Sequence, residues 1–172
     1  TLSTLAAALG SSTRLVRVMP NTPCLVGLSA SAFAPGPAAT DADAEQVARL
    51  LATVGIALPV SEQLIDAVTG LSGSGPAYVY EVIEGMVAGG MSCGLSRDVA
   101  LQLATQTVKG AAQMVLSTGE QPEALRDAVA SPGGTTIAGL AALERSGLRG
   151  VLADAVEAAT RRSRELGRNE PR

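Results

Sequence analysis

The apolar residues of this chain change their spacing near residue 60, and this change constrains the fold more than any single motif does. Before it, apolar runs of strand length lie on either side of one helix-like segment. After it, apolar residues recur every three or four positions, as in amphipathic helices. Because strand, helix and strand form the unit of a parallel sheet, the sequence predicts a small α/β part followed by an all-α part, and a chain that is mostly α.

The first 60 residues have the pattern of part of a doubly wound domain. Prolines and glycines separate short apolar runs from one another, as they do between strands and helices. The predicted elements are a helix at 2–9 ending at Gly10, strands at 14–19 and 25–33, a helix capped by Asp41, and a strand at 56–60. These make about half of such a domain, so we assign residues 1–60 to the end of an α/β domain.

The remaining residues have helical spacing almost throughout. The predicted helices are a short one capped by Ser61 and broken by the glycine-rich run 70–75, then helices from Pro76 and Ser96 and at 120–130, 135–143 and 148–166. The helix from Pro76 carries Gly85, Gly89, Gly90 and Gly94. Each glycine costs a helix roughly 0.5 to 1 kcal/mol, which favours close approach of another backbone, within the chain or from a second subunit. We assign residues 61–172 to a helical domain that is too apolar and too rich in Ala and Gly to be comfortable as a monomer.

The composition excludes several kinds of chemistry. The chain has no His, so imidazole bases, Ser/His/Asp triads and His-ligated metals are excluded, and we predict no metal site. Its two cysteines, Cys24 and Cys93, give no disulfide framework, so we expect a cytoplasmic setting. A net charge of −3 and only three aromatic residues, one Phe and two Tyr, argue against nucleic-acid binding. No run of apolar residues is long enough to span a membrane.

The first loop with chemical potential is Met19-Pro20-Asn21-Thr22-Pro23. It directly follows a strand that we expect to be parallel, and ligands of α/β sheets bind at the carboxyl ends of such strands. A rigid turn that offers backbone amides and an Asn side chain therefore fits the edge of a cofactor. Two prolines around a polar pair also end strands that bind nothing.

The second loop is the glycine-rich run from Thr69 to Tyr78. A turn of this kind that enters a helix can hold an anion through N–H groups and the helix dipole. It has neither the third glycine of the dinucleotide loop nor a Gly-Lys-Ser/Thr sequence. An interdomain hinge explains the same glycines.

The third loop is Ser131-Pro132-Gly133-Gly134-Thr135-Thr136-Ile137. Two glycines before paired threonines at the start of a helix place several N–H donors and two hydroxyls in one turn. This arrangement favours a carboxylate or a phosphate ligand. A simple helix cap needs only one of the two hydroxyls.

Three stretches that contain these loops, 19–23, 62–78 and 127–144, together resemble the Δ1-pyrroline-5-carboxylate reductase family. The last of them is similar to the family's signature. The resemblance implies NADPH- or NADH-dependent reduction of the imine of pyrroline-5-carboxylate to L-proline, the last step of proline biosynthesis. It also implies that residues 1–60 are the C-terminal part of a Rossmann-type dinucleotide-binding domain and that residues 61–172 are an all-α dimerisation and substrate domain. The helices of the second domain would interlock in a homodimer, with dimers often assembled into larger rings.

The resemblance also assigns roles to individual residues. Thr135 and Thr136 would hold the substrate carboxylate, with Ser131 and Gly134 in the same turn. Thr69 would lie beside the ring nitrogen and donate a hydrogen bond or proton. The same pocket would be lined by Glu62 and Glu120, and the nicotinamide would be contacted by Val18, Met19 and Pro20, with Asn21 adjoining them.

The family's glycine-rich dinucleotide fingerprint is absent from this sequence. We therefore expect a fragment that lacks the first half of the nucleotide domain, on the order of 100 residues, and that dimerises but binds dinucleotide weakly or not at all. Two alternatives stay open. One is a non-enzymatic helical dimerisation module. The other is a β-hydroxyacid reductase, which is disfavoured because such enzymes usually rely on a catalytic lysine, and Lys109 is the only Lys here.

Overall fold

A computed structural model describes residues 1–168 of the chain. Residues 169–172, the end of the predicted all-α domain, lie outside the described residues. The described chain is mostly helical and its strands form one three-stranded sheet, which confirms the predicted fold class. It divides into two compact units, one made of Thr1–Ala77 and the chain from Ala153 on, the other of Tyr78–Leu152.

The elements up to residue 73 all belong to the first unit. They are α1 (Leu2–Leu9), β1 (Val16–Met19), a 3-10 turn (Thr22–Val26), β2 (Ser29–Pro35), α2 (Asp41–Ala52), β3 (Gly55–Pro59), a second 3-10 turn (Glu62–Leu64), α3 (Ile65–Val68) and one π-helical turn (Thr69–Gly73), called the π-turn below. Gly10 ends α1 with a φ of 97°, as the sequence predicts.

The sheet has the strand order β1-β2-β3. Strands β2 and β3 are parallel and joined through α2, which confirms the predicted strand-helix-strand unit. The prediction of a parallel β1 is wrong, because β1 pairs with β2 in antiparallel fashion. The connection, residues 20–28, is too short for a parallel crossover, which needs about a dozen residues or more.

Two predicted helix starts are corrected by the hydrogen bonds. Helix α2 is capped by Thr40 rather than Asp41, since the Thr40 hydroxyl accepts from the Asp43 N–H at 3.3 Å and the Asp43 carboxylate accepts from the Thr40 N–H at 2.9 Å. This reciprocal pair is a capping box. Ser61 precedes the 3-10 turn but makes no side-chain cap hydrogen bond.

The glycine-rich run was predicted to break the helix before it, and this prediction is wrong. Helix α3 continues through the π-turn almost to the next helix, because glycine without a Cβ lets the turn widen and lie close to its neighbours. Beneath α3, Ile65 packs with Ala32 and Ala34 of β2 in a buried cluster that also contacts Met19, Val60 and Val68.

Five helices follow. They are α4 (Gly75–Ser92), α5 (Arg97–Thr118), α6 (Pro122–Ala128), α7 (Thr135–Arg145) and α8 (Leu148–Gly167). Ser96 caps α5 as predicted, accepting from the Val99 N–H at 3.4 Å. The core of the second unit is small and consists of Val87, Ala100 and Ala104, with Ile83 against it.

Of the four glycines expected along the helix from Pro76, only Gly90 lies close to other parts of the described chain. A Cβ on Gly90 would lie 3.2 Å from Ala100 Cβ, whereas Gly85 and Gly89 have no such neighbour within 4 Å. Placing Gly94 in the helix was wrong: it follows α4 at a φ of 100°, a turn conformation that only glycine adopts readily.

The compact units do not divide at residue 60. Residues 61–77 belong with the sheet, since Ile65 lies in its core, and the second half of α8 joins them. The assignment of 1–60 to a nucleotide-binding domain and of 61–172 to a dimerisation domain stays a prediction. Among residues 1–168, no helix is both long and apolar enough to cross a membrane.

Candidate active site

The turn after β1 is held by the side chain of Asn21. Its Oδ1 accepts from the Ala30 N–H at 3.0 Å and from the Ser29 hydroxyl at 3.1 Å, both at the start of β2. Its Nδ2 donates to the backbone carbonyl of Ser72 in the π-turn at 3.0 Å. The first two predicted loops are therefore brought together, and the Asn21 amide bridges them.

Met19 adds an apolar contact to the same junction. It packs against the cluster around Ile65, and its Cε lies where a Cβ on Gly73 would be. Its neighbours Val18 and Pro20 are exposed. At the carboxyl end of β1, Val18 and Pro20 are therefore exposed, whereas Met19 packs against the core.

The π-turn fixes the direction of the Thr69 hydroxyl. Thr69 Oγ1 donates to the Ile65 carbonyl at 2.8 Å, and the Thr69 carbonyl accepts from the Ser74 N–H at 2.8 Å in the π-helical pattern. The hydroxyl proton is therefore engaged, and the lone pairs of Oγ1 can accept from another group. The role expected for Thr69 beside the ring nitrogen stays a prediction, and in this orientation its hydroxyl can act as an acceptor toward a further group.

The π-turn is packed tightly against the second half of α8. A Cβ on Gly70 would collide with Thr160 Oγ1 and would lie 2.6 Å from the Val156 carbonyl. Ser163 of the same helix donates to the Asp66 carboxylate at 2.7 Å. The backbone that carries Thr69 is thus held by the β1 turn on one side and by α8 on another.

Glu62, expected in the substrate pocket, is engaged within the first unit. Its Oε1 accepts from the Leu2 N–H at 2.5 Å, at the first residue of α1, and lies 3.3 Å from Arg17 Nη1. Arg17 also lies 3.8 Å from Asp66 Oδ1. In this structure the carboxylate of Glu62 joins α1, β1 and the segment before α3.

The third loop forms the start of α7. Gly134 donates its N–H to the Ser131 carbonyl at 2.9 Å, and Gly133 between them has a φ of 71°, as in a turn with proline at its second position. A Cβ on Gly134 would collide with Ser131 Oγ. Among the described residues, Thr135 and Thr136 have no side-chain hydrogen-bond partner, and α7 has no side-chain cap. The turn therefore presents N–H groups and two hydroxyls together, as an anion requires.

Glu120 follows Gly119, which ends α5 with a φ of 69°. The Glu120 N–H donates to the Thr118 hydroxyl at 3.1 Å, and the residue is exposed. The expected site residues thus fall into two sets. The set in the first unit comprises Val18, Met19, Pro20, Asn21, Glu62 and Thr69, and the set in the second comprises Glu120, Ser131, Gly134, Thr135 and Thr136.

The described residues contain no group of three His, Cys, Asp or Glu side chains that could hold a metal ion.

A family model described as pyrroline-5-carboxylate reductase dimerisation matches residues 62–166. This chain belongs to the pyrroline-5-carboxylate reductase family. The pyrroline-5-carboxylate reductase of Pisum sativum is 53% identical over 153 residues, covering 89% of this chain and 56% of the pea protein. That of Methanosarcina acetivorans is 50% identical over 167 residues, covering 97% of this chain and 62% of the relative. The chain thus spans little more than half the length of such relatives.

Solved structures of pyrroline-5-carboxylate reductases have the same fold. The enzyme from Coxiella burnetii superposes with a TM-score of 0.93 at 36% identity, covering 96% of this chain and 62% of the other. Pyrroline carboxylate reductase from Plasmodium falciparum, solved with NADP bound, gives 0.90 at 37% identity, with 96% and 63% covered.

Sequence reasoning missed the contribution of Ser72 to the second loop, the glycine-rich run from Thr69 to Tyr78. Its hydroxyl donates to the Val68 carbonyl at 3.2 Å and its own carbonyl accepts from Asn21. One signal was present in the sequence: Pro76, four residues later, lacks the N–H that would bond this carbonyl in an α-helix.

Proposed function

We propose that this chain is the substrate-binding and dimerising part of an oxidoreductase that reduces the imine of 1-pyrroline-5-carboxylate to L-proline, the last step of proline biosynthesis. The observation that carries the proposal is the junction of the Met19 turn with the π-turn, which places Thr69 beside the carboxyl end of a sheet strand. Membership of the family and the NADP held by the Plasmodium falciparum relative support it.

The cofactor proposed is NADPH or NADH, which supplies the hydride. The exposed Val18 and Pro20 beside the supported Met19 fit the edge of a nicotinamide ring. Asn21 fits this role less directly, because both ends of its amide are bonded to protein. The site of the remaining dinucleotide is not assigned to these residues.

Thr69 is proposed to orient the ring nitrogen. A protonated imine is already electrophilic and carries an N–H, which is a donor. Because the Thr69 hydroxyl gives its proton to the Ile65 carbonyl, Oγ1 accepts from that N–H and holds the iminium form. Positioning and electrostatic stabilisation are what a protein contributes when a cofactor carries the reactive group.

Thr135 and Thr136 are proposed to bind the substrate carboxylate, together with the N–H groups at the start of α7 and the turn from Ser131 to Gly134. Glu120 remains a proposed pocket residue. Glu62 is the weakest of the proposed substrate contacts, because its carboxylate already bonds Leu2 and Arg17.

A homodimer through the helices is also proposed. Leu103, Leu116 and Val151 are apolar residues of α5 and α8 that stay 57 to 75% exposed in one chain, which is unfavourable unless another surface covers them. The family model's description as a dimerisation domain supports this. Two cysteines without a disulfide, Cys24 and Cys93, support a cytoplasmic setting, and assembly of dimers into larger rings remains a proposal.

Kinetics of the protein in its full natural length test this function. We expect NAD(P)H oxidation that depends on pyrroline-5-carboxylate. Thr136→Ala should raise the KM roughly 10- to 100-fold, because it removes a hydrogen bond to a charged group. Thr69→Ala should lower kcat more than it changes KM. Thr53→Ala, which removes a similar side-chain bond to the Leu50 carbonyl at the end of α2, is the control.

Calorimetry with L-proline separates the enzyme from a purely structural dimerisation module. Binding that Thr136→Ala abolishes supports the enzyme. Unchanged catalytic efficiency in both Thr69→Ala and Thr136→Ala would contradict the roles assigned to these two residues. A folded protein that does not oxidise NAD(P)H when pyrroline-5-carboxylate is added would overturn the proposed function.

A further inference from the structure

The Ser72 carbonyl in the π-turn lacks its ordinary helical partner. In an α-helix it would accept from the N–H of residue 76, and residue 76 is proline, which has no N–H. The Asn21 side chain, 51 residues earlier in the chain, donates to this carbonyl at 3.0 Å instead. A residue of the β1 turn therefore completes the backbone hydrogen bonding of the π-turn.

The other end of the Asn21 amide is fixed to a rigid base. Oδ1 accepts from the Ala30 N–H and from the Ser29 hydroxyl, and Ser29 is 2% exposed. The Ser29 hydroxyl is itself 2.7 Å from the buried Ser31 hydroxyl. Asn21 therefore connects the π-turn to β2, the central strand of the sheet, most of whose residues are buried.

The apolar contact beside this bond has the same effect. Met19 Cε fills the space in front of Gly73, and the Cβ position of Gly73 lies 3.7 Å from Thr69 Cγ2. Met19, Gly73 and Thr69 are thus consecutive members of one packed row. A shift of the π-turn away from β1 would break the hydrogen bond from Asn21 to the Ser72 carbonyl and would also separate Met19 from Gly73.

We propose that Asn21 is a positioning residue that holds the Thr69 π-turn at a fixed distance from the carboxyl end of β1. Its part in the reaction is to keep the acceptor for the ring nitrogen in register with the surface beside Val18 and Pro20, and its polar atoms contact protein instead of cofactor. This inference rests on the proposed function for its kinetic consequence, whereas the tie itself rests on the hydrogen bonds alone.

Asn21→Asp in the full natural length of the protein tests the tie. Aspartate keeps the shape and the acceptor for Ala30 and Ser29, but its carboxylate cannot donate to the Ser72 carbonyl. We expect kcat to fall about 10-fold or more, while the KM for pyrroline-5-carboxylate and the dissociation constant for NADPH change less than about 3-fold. Thr53→Ala is the matched control for loss of a side-chain bond to a carbonyl. A higher KM for pyrroline-5-carboxylate with an unchanged kcat would overturn the proposal.

A double-mutant cycle shows whether Asn21 acts through Thr69. We expect Asn21→Asp to lower kcat in the wild type but to change it less than about 2-fold in Thr69→Ala, since the residue being positioned is then absent. The same fold-loss in both backgrounds would contradict action through Thr69.

A third variant distinguishes positioning from simple stabilisation. Pro76→Ala gives residue 76 an N–H that can bond the Ser72 carbonyl within the helix. Added to Asn21→Asp, it should restore the melting temperature without restoring kcat. Recovery of kcat together with stability would reduce Asn21 to a stabilising residue and overturn the proposal.

Hydrogen exchange tests the tie even where no reduction is found. Asn21→Asp should speed amide exchange at 69–75 relative to β2 and β3, and Thr53→Ala should not. Unchanged amide exchange at 69–75 would show that Asn21 does not hold the π-turn. If exchange is faster in the variant but the wild type does not reduce pyrroline-5-carboxylate, only the proposed function is overturned.

Discussion

The proton of the Thr69 hydroxyl points to the Ile65 carbonyl, and this single direction changes the chemistry that the residue can perform. The family resemblance gave Thr69 the role of a donor to the ring nitrogen, and this role stays a prediction. The bond joins residues 65 and 69, which both lie before Gly70, so it fits the helix that the sequence predicts there, but the sequence pattern does not show which way the hydroxyl turns. Individual hydrogen-bond partners are the part of a site that sequence patterns predict least well.

Glu62 shows the same limit. Its partners, Leu2 and Arg17, lie 60 and 45 residues earlier in the chain. The family resemblance suggested a pocket residue, and nothing local to Glu62 shows that its carboxylate bonds the start of α1.

Gly70 gives the sharpest prediction at this scale. Gly70→Ala should destabilise the protein by at least about 2 kcal/mol, because the added Cβ meets the Thr160 side chain and the backbone of α8 at once. Gly75→Ala, in the same segment, meets open space and should change stability by less than about 1 kcal/mol. Urea unfolding of both variants measures this. Equal effects would show that α8 does not pack on the π-turn as described.

At the scale of elements, the sequence predicts most of the helices and strands, since their apolar periodicity is strong and glycine, proline or serine lies at several ends. The sequence-based prediction fails where two features of the sequence favour different local structures. Asp41 and Thr40 are both good caps, and the structure selects Thr40 because Asp43 completes a capping box with it. The π-turn was missed because glycines in sequence indicate a break, whereas here they permit a wide turn against α8.

The capping box of α2 predicts a pH dependence. The Thr40 N–H and hydroxyl donate to Asp43, with a smaller effect of Arg14, and lower the pKa of this carboxyl below its ordinary value of 3.8. The charged form is favoured in the folded state, so this stabilisation is present above 3.8 and is lost as the pH falls through the lowered pKa.

Asp43→Asn should therefore lower the melting temperature at neutral pH. The difference in melting temperature between this variant and the wild type should become smaller at acidic pH. Melting curves at about pH 6 and about pH 2.5 measure this. Asp41→Asn controls for the helix dipole, since Asp41 lies in the same first turn without a described bond to Thr40. Identical pH dependence in both variants would contradict the capping-box explanation.

At the scale of the whole molecule, the sequence predicts the order of an α/β part and a helical part, but not the compact units. Periodicity describes each segment alone, so it cannot show that residues 61–77 and the second half of α8 join the sheet. That grouping depends on Ile65 in the core and on the Asp66–Ser163 bond.

The proposed dimer gives a prediction at the same scale. Gly85 and Gly89 of α4 meet open space within the described chain, so Gly89→Leu should leave the fold of one chain intact. We expect it to weaken self-association, because a leucine would separate helices that glycine lets approach closely. Light scattering over a range of concentrations measures the oligomer, and circular dichroism controls for folding. An unchanged dimer would place the interface elsewhere.

The packing of Gly70 against Thr160 has a consequence for the order in which the molecule matures. The Asp66–Ser163 bond beside it joins residues 97 positions apart, so neither contact can form until α8 has left the ribosome. The sheet and α3 can form early, but the turn that carries Thr69 is held in place only after the α8 residues have been made. A nascent chain that stops before Ala153 would therefore contain β1, β2 and β3 without the α8 residues that pack against the π-turn.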